Sequence, residues 1–254
     1  MNTVATPGVA LAVLCAVMVA ATAVVYRVAR LGSVTVAPGA ALRGAAQLTA
    51  VALILAAALG QLWSSIAVLV VMFGAAVATS ARRAEAGWSA LWLTLALGAG
   101  LTAVLPAMLL SGVVPLEGVA LVPIGGIVLG GTMSATSLAA RRALDTIEQR
   151  WGEVEAALSL GLSERDARLE VVRATAADAL LPSVDQMRTV GLVTLPGAFV
   201  GVLVASGSAT QAGAVQILVL VGLLLAQSCA VALTIELIAR VKVHRCAAHP
   251  TVLR

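Results

Sequence analysis

The stretch RWGEVEAALSLGLSERDARLEVV, residues 150–172, decides how the fold is to be read, because it is a long charged segment in a chain that is otherwise almost entirely apolar. The 254 residues are 61% hydrophobic and 11% charged, whereas soluble domains are roughly 25% charged. A chain this apolar cannot cover its surface with polar side chains, so its solvent must be lipid. We therefore predict a polytopic membrane protein with this segment outside the bilayer.

Seven apolar runs are long enough to cross a membrane. A helix needs about 20 residues to cross the hydrocarbon core, and a helix satisfies its own backbone in lipid. We treat the whole chain, 1–254, as a single transmembrane domain whose N-terminal run is an uncleaved anchor, because no basic residue precedes it. The sequence thus predicts an all-α fold of about seven transmembrane helices, at roughly 8–31, 40–59, 62–80, 88–113, 119–143, 189–205 and 212–240.

The basic residues predict the orientation of these spans. All 16 Lys and Arg residues lie beside the first, third and fifth connections or on the C-terminal tail. The positive-inside rule then places the N-terminus outside and the C-terminus in the cytoplasm, and the clean partition favours an odd number of spans. The net charge of +4 is explained by this topology and by anionic lipid, so no nucleic-acid partner is implied.

The first half of the charged segment is predicted to be an amphipathic helix. Its apolar residues are spaced four, three and four apart, which is one stripe of an α-helix. The members of that stripe are Ile147, Trp151, Val154 and Leu158. The opposite face is acidic, with Asp145, Glu148, Glu153 and Glu155.

The second half is predicted to be another helix that starts after a glycine turn. Gly161 stands where a helix ends, and Ser163 with Asp166 resembles a capping box that starts the next helix. Leu181-Pro182 is predicted to end it. Its apolar stripe is Leu169, Val172, Ala176 and Ala179. We thus expect a cytoplasmic helix–Gly–helix hairpin at about 144–182, joined to a span at each end.

The acidic face favours a protein partner for this hairpin. A helix that lies on a membrane surface usually carries Lys and Arg on its polar face, and an anionic leaflet would repel carboxylates. An apolar stripe edged with carboxylates suits a groove in another protein. The surface helix remains the alternative interpretation.

Several stretches resemble one family of transporters. EAALSLG, Glu155–Gly161, resembles the EAA-xxx-G core of ABC transporter permeases, although Leu181-Pro182 follows about ten residues later than in the usual pattern. The chain is similar over nearly its whole length to the FetB-type permeases, which comprise bacterial iron-export permeases and plant aluminium-tolerance relatives. The stretches that carry this likeness are RGAAQL (43–48), PIGGIVLGGTMSAT (123–136), EAALSLGLSERDA (155–167) and LLPSVDQMRTVGLVTLPGAFVGVLVASG (180–207).

The resemblance implies a permease subunit in the cell membrane that works with a separate ABC ATPase, with two permease copies in the complex. It implies iron or a related metal ion as the exported solute, with an organic solute such as a nucleotide sugar as the alternative. The hairpin would dock on the ATPase: Glu155 would bond to it, Ala156 and Ala157 would permit close approach, and Gly161 would permit the turn. Trp151 belongs to the same surface.

The chain itself is not expected to be an enzyme or to bind a cofactor. No GxxxxGK[ST] motif is present, so ATP would be bound by the partner chain. No histidine lies in a predicted span, and no nucleophile–base set is found. His244, Cys246 and His249 on the tail could ligate a metal, but their spacing matches no closed site, and any metal site remains unknown.

Polar and sulfur-bearing residues in the spans are candidates for the solute pathway, because polar groups are costly in lipid and Met sulfur suits transition ions. Hydrogen bonding within the bundle is the alternative role of the Ser and Thr residues. Asp185 could instead pair with Arg188, and Glu236 with Arg240. The candidates are Gln47, Met133, Ser134, Asp185 and Met187; Gln227 and Cys229 also lie in mid-span.

Three other functions stay open. A membrane scaffold could use the hairpin to recruit a soluble partner without moving a solute. An ABC importer permease would need an outer partner, for which the short outer loops leave little surface. An intramembrane enzyme has the least support.

Overall fold

The chain divides into two units, Met1–Leu59 and Gly60–Arg254. The structure is a computed structural model that describes residues 8–58 and 61–245. Within these residues every regular element is a helix, and the one bridge outside a strand joins Val190 and Thr194. The predicted all-α class is therefore confirmed, whereas the treatment of 1–254 as a single domain stays a prediction.

The described part of the first unit, residues 8–58, holds two helices, α1 (Val9–Val28) and α2 (Val36–Ala58). Helix α1 is long and apolar enough to cross a membrane. Helix α2 covers most of the predicted span at 40–59, whose last residue lies outside the described residues.

Residues 61–245, the described part of the second unit, form the other helices and two short 3-10 turns, Gly87–Trp92 and Asp178–Leu180. Helix α5 packs against α3, α4 and α10, and α10 also packs against α4. The helices are α3 (Leu62–Ala84), α4 (Leu93–Leu110), α5 (Gly118–Gln149), α6 (Trp151–Ser159), α7 (Glu164–Ala177), α8 (Leu181–Thr189), α9 (Gly197–Ser206) and α10 (Ala209–Ala239).

Five of the described helical segments are long and apolar enough to cross a membrane. They are Val9–Val28, Leu62–Ala84, Gly87–Leu110, Ala120–Gln149 and Ala209–Ala239. They support a multi-pass membrane protein, but they do not confirm the count of seven spans.

The predicted continuous helix over 189–205 is wrong. The chain instead forms α8, a turn, and then α9, whose 10 residues are only about 15 Å long, half of the hydrocarbon thickness. Gly191 in the turn has a φ of +82°, which favours glycine. Pro196 lacks the N–H that a continuous helix needs and disfavours helical geometry in the residue before it.

Many basic residues of the second unit lie near one end of the bundle. A cluster of buried residues joins the C-terminal ends of α3, α5 and α10 to the N-terminal end of α4, through residues such as Ala84, Leu93, Leu144 and Leu237. Arg or Lys residues lie in or directly after the ends of α3, α5 and α10, and Lys242 lies 5.4 Å from the ring of Trp92, just before α4. This gathering agrees with the partition of charge that the positive-inside rule requires, while the orientation in the cell stays a prediction.

Close helix packing occurs at some glycines of the bundle and not at others. A Cβ on Gly130, Gly197 or Gly201 would meet no atom within 4 Å. A Cβ on Gly100 would lie 2.6 Å from the carbonyl oxygen of Ala226. Close approach of backbones brings van der Waals contact that lipid cannot replace, and here it joins α4 to α10.

Candidate functional site

The predicted helix–Gly–helix hairpin is present, and its turn is a Schellman motif. The N–H of Leu162 donates to the carbonyl of Ala157 at 3.2 Å, and the N–H of Gly161 donates to the carbonyl of Leu158 at 2.9 Å. Gly161 has a φ of +90°, a backbone conformation that favours glycine. The Oγ of Ser163 accepts from the N–H of Asp166, as predicted for the start of the second helix.

Two boundaries differ from the prediction. The fifth span and the first stretch of the hairpin form one helix, α5, so Ile147 belongs to the bundle and α6 begins only after Arg150. The side chain of Arg150 turns to Glu153, and this hydrogen bond holds the pKa of Glu153 below its ordinary value. Leu181-Pro182 starts α8 instead of ending the hairpin, because proline is well suited to the first turn of a helix.

Helix α7 anchors the hairpin to the bundle. Its stripe is buried as predicted, with Val172 and Ala176 fully enclosed in the cluster at the ends of α5 and α10. The guanidinium of Arg165 donates to both carboxylate oxygens of Glu236 on α10, at 2.7 and 2.8 Å. Arg142 on α5 pairs with Asp178 at 3.3 Å. The predicted Glu236–Arg240 pair also forms, at 2.6 Å, so Glu236 links α7 to α10.

Helix α6 lies outside α7. Val154 is its one fully buried side chain and packs against Ala167 and Val171 of α7. Ala157 is half-buried on the same side, whereas Ala156 is exposed. The two alanines therefore face different surroundings, and only Ala156 is open to a partner.

The exposed side of α6 and the turn combine apolar and acidic groups. The indole N–H of Trp151 donates to a carboxylate oxygen of Glu155 at 2.8 Å, and the guanidinium of Arg168 lies 5.5 Å from the Trp151 ring centre. Leu160 is 82% exposed. We call the exposed residues Trp151, Glu155, Ala156, Leu160 and Leu162 the hairpin tip. Exposed apolar groups beside a positioned carboxylate fit a groove on another protein.

Gly161→Ala is expected to destabilise the hairpin by about 1 kcal/mol, because an L-residue is strained at positive φ. Gly152→Ala is the matched control, since Gly152 lies in α6 at an ordinary φ and its Cβ would meet no atom within 4 Å. That change should stabilise the helix by about 0.5 kcal/mol. Hydrogen exchange of the α6 amides measures both effects. Equal exchange rates in the two variants would contradict the assignment of the turn.

The pathway candidates on α5 of the second unit face different surroundings. Ser134 lines a cavity between α5, α8 and α10. Met133, the preceding residue, packs against a cluster that contains Ala76 and Leu97, on α3 and α4. Gln47 lies in the first unit, in a shallow groove along α2 that also contains Arg43.

The other two candidates lie on α8. Asp185 is exposed and pairs with Arg188 at 3.5 Å, the alternative that the sequence suggested. Met187 is half-buried.

Hydrogen bonding within the bundle, the alternative role of the Ser and Thr residues, is seen in α5. The hydroxyls of Thr132 and Ser137 donate to backbone carbonyls one turn earlier in the same helix, at 2.7 Å each.

The most informative polar residue in the bundle is Gln227, which the sequence placed in mid-span but which was left out of the pathway set. It is 3% exposed, and its Oε1 has no hydrogen-bond partner. A polar residue in the middle of an apolar run is a signal of function, but its position against Gly131 of α5 depends on how the helices pack.

Metal ligands are sparse in the part of the chain that the structure describes. Those residues contain no group of three or more His, Cys, Asp or Glu side chains that could hold an ion. Cys246 and His249 of the predicted tail site lie outside the described residues, whereas the backbone of His244 exchanges two hydrogen bonds with the Ser89 hydroxyl.

Comparison with known proteins places this geometry in a family context. Residues 9–242 match the model described as "Uncharacterised protein family (UPF0014)". A UPF0014 membrane protein of Synechocystis is 34% identical over 64% of this chain and 65% of its own length. No solved structure matches.

Two further relatives carry more informative names. The Escherichia coli protein named "Probable iron export permease protein FetB" is 31% identical over 50% of this chain and 49% of that protein. The Arabidopsis thaliana protein named ALUMINUM SENSITIVE 3 is 32% identical over 50% and 46% of the two chains. The matches thus span about half to two thirds of the relatives' lengths.

Proposed function

Because this chain belongs to the UPF0014 family of membrane proteins, we propose that it is the membrane-spanning permease subunit of an ABC transporter. ATP hydrolysis on a separate ATPase chain drives it, and the permease itself binds no nucleotide. It exports iron or a related metal ion from the cytoplasm.

The observation that carries this proposal is the way the hairpin is built. The hairpin tip is exposed on α6, while α7 is buried against the ends of α5 and α10 and linked to Glu236. A partner that moves the tip therefore moves the ends of two long apolar helices. This is the arrangement that a bundle needs in order to receive force from a soluble ATPase, and Glu155, Ala156 and Gly161 serve the contact.

The choice of iron rests on the name of the Escherichia coli relative. An organic solute, such as a nucleotide sugar, is the second candidate. A scaffold without transport would use the same exposed tip, and it is separated from the permease by whether a solute moves.

A permease homodimer is part of the proposal. The turn between α8 and α9 exposes Leu192 and Val193, which are 88% and 80% accessible. Non-helical backbone at membrane depth requires cover by protein or a water-filled space. A second permease copy against this turn would provide it.

The test is the iron content of cells that express this chain together with its ATPase. The control is the same pair with an ATPase whose P-loop lysine is replaced. The proposal expects less iron only with the active pair. Equal iron in both, with ATP-dependent loss of an organic solute, would select the second candidate. No ATP-dependent change in any solute would favour the scaffold.

A further inference from the structure

Three cations at one end of the second unit have no carboxylate partner among the described residues. Most arginines of the hairpin and of the helices beside it form ion pairs, as Arg142 does with Asp178. By contrast, Arg82, Arg83 and Lys242 form no ion pair with any residue that the structure describes. All three side chains are exposed, so they are open to an anionic partner.

These cations lie around one buried cluster. Ala84 and Val243, which are next in the chain to Arg83 and Lys242, are both enclosed in it. The ammonium of Lys242 lies 5.4 Å from the ring centre of Trp92, which is a cation–π contact. Because the same cluster encloses the stripe of α7, the cations lie at the end of the bundle to which the hairpin is anchored.

Large apolar side chains are exposed beside these cations. The 3-10 turn Gly87–Trp92 leaves Trp88 85% exposed and Leu91 57% exposed. An indole has an apolar ring and a polar N–H, which suits it to a boundary between apolar and aqueous surroundings. We call the following residues the basic–aromatic surface: Arg82, Arg83, Trp88, Leu91, Trp92 and Lys242.

This surface lies where two apolar segments reach the membrane boundary. Leu62–Ala84 and Gly87–Leu110 are each long and apolar enough to cross a membrane, and only Glu85 and Ala86 separate them. So short a connection keeps Trp88 and the basic residues before it close to the lipid headgroups. Tryptophan is enriched at this boundary, and an anionic leaflet attracts Lys and Arg near its surface.

We propose that the basic–aromatic surface binds anionic phospholipid of the surrounding membrane. Its three cations contact the negatively charged headgroups, and Trp88 lies between the headgroups and the acyl chains. Charge favours an anionic lipid over a zwitterionic one, because Glu85 is the one acidic residue between α3 and the 3-10 turn. This binding does not depend on the solute that is transported, so it is tested separately from the proposed function.

The test is quenching of Trp88 fluorescence by brominated lipid in vesicles that contain the full-length chain. Two preparations have the same mixture of phosphatidylcholine and phosphatidylglycerol. An equal amount of lipid is brominated in each, phosphatidylglycerol in one and phosphatidylcholine in the other. Each protein is compared with the same protein carrying Trp88→Phe, so that the difference isolates Trp88 among the 4 tryptophans.

The main variant is Arg82→Gln/Arg83→Gln, which removes two exposed cations of this surface. The matched control is Arg150→Gln/Arg188→Gln, because it removes the same charge from arginines that are already paired, with Glu153 and Asp185. Lys242→Gln is a further variant that leaves the basic residues at the end of α3, and hence the charge that orients this connection, unchanged.

We expect phosphatidylglycerol to be enriched over phosphatidylcholine beside Trp88 by roughly fivefold or more. The enrichment should be lost in Arg82→Gln/Arg83→Gln, reduced in Lys242→Gln and kept in the control, and high salt should abolish it in the wild type. The proposal is overturned if both lipids quench the wild type alike, if the enrichment survives in the main variant, or if the control loses as much. Quenching by neither lipid would also overturn it, because Trp88 would then face no lipid.

Discussion

Glu155→Arg is expected to reduce ATP-driven transport by roughly tenfold or more, since it places a positive charge where the partner faces a carboxylate. Glu155 is exposed on the hairpin tip and its carboxylate is held in place by the indole of Trp151. The substitution removes both the negative charge and this hydrogen bond. Transport and co-purification of the ATPase measure the effect, and the amount of permease in the membrane should not change.

The matched control is Glu170→Arg, which makes the same change of charge on an exposed residue of α7 outside the hairpin tip. We expect that variant to transport at close to the wild-type rate. Full transport by Glu155→Arg would remove the tip from the docking surface. An equal loss in both variants would mean that the overall charge of the hairpin matters and that no specific contact is made at Glu155.

Arg165→Gln is expected to uncouple ATP hydrolysis from transport while the ATPase stays bound. Arg165 joins α7 to α10 through both carboxylate oxygens of Glu236, and the hairpin tip lies elsewhere, on α6 and the turn. Because both side chains are partly exposed, we expect hydrogen exchange in α7 to rise roughly two- to fivefold. The number of solute molecules moved per ATP hydrolysed should fall.

Arg240→Gln is the matched control, because it removes the same charge without breaking the link between α7 and α10. Arg240 also bonds to Glu236, at 2.6 Å, but both residues belong to α10, so the substitution leaves the link to the hairpin in place. Its coupling ratio should stay near that of the wild type. If Arg240→Gln uncouples as strongly as Arg165→Gln, or if ATPase binding is lost in Arg165→Gln, the link from α7 to α10 does not transmit the force.

Local features of the hairpin could be predicted from the sequence because neighbours along the chain determine them. The turn at Gly161, the cap at Ser163 and the buried stripe through Val172 and Ala176 all depend on residues within one or two turns. The predicted partner-facing role of Trp151 and Glu155 is consistent with their exposure, but the docking itself remains a prediction.

Two other features were not predicted, because periodicity and hydropathy alone were used to assign them. Helix α5 runs on to Gln149, although periodicity alone assigned Ile147 to the hairpin. The run over 189–205 is as apolar as a membrane span, yet its backbone forms a turn at Gly191 and Pro196. A hydropathy average takes no account of residues that interrupt a helix, so it predicted a continuous span.

The sequence by itself determined the class of the molecule, since only lipid can solvate a chain with so few charged residues, and it determined the hairpin, since caps and turns depend on nearby residues. The tertiary structure decided which polar groups meet. Arg165 reaches Glu236 from 71 positions away, and Gln227 is left unpaired beside Gly131 on another helix. Both outcomes depend on how the helices pack against one another, and the spacing of residues within any single helix does not contain that information.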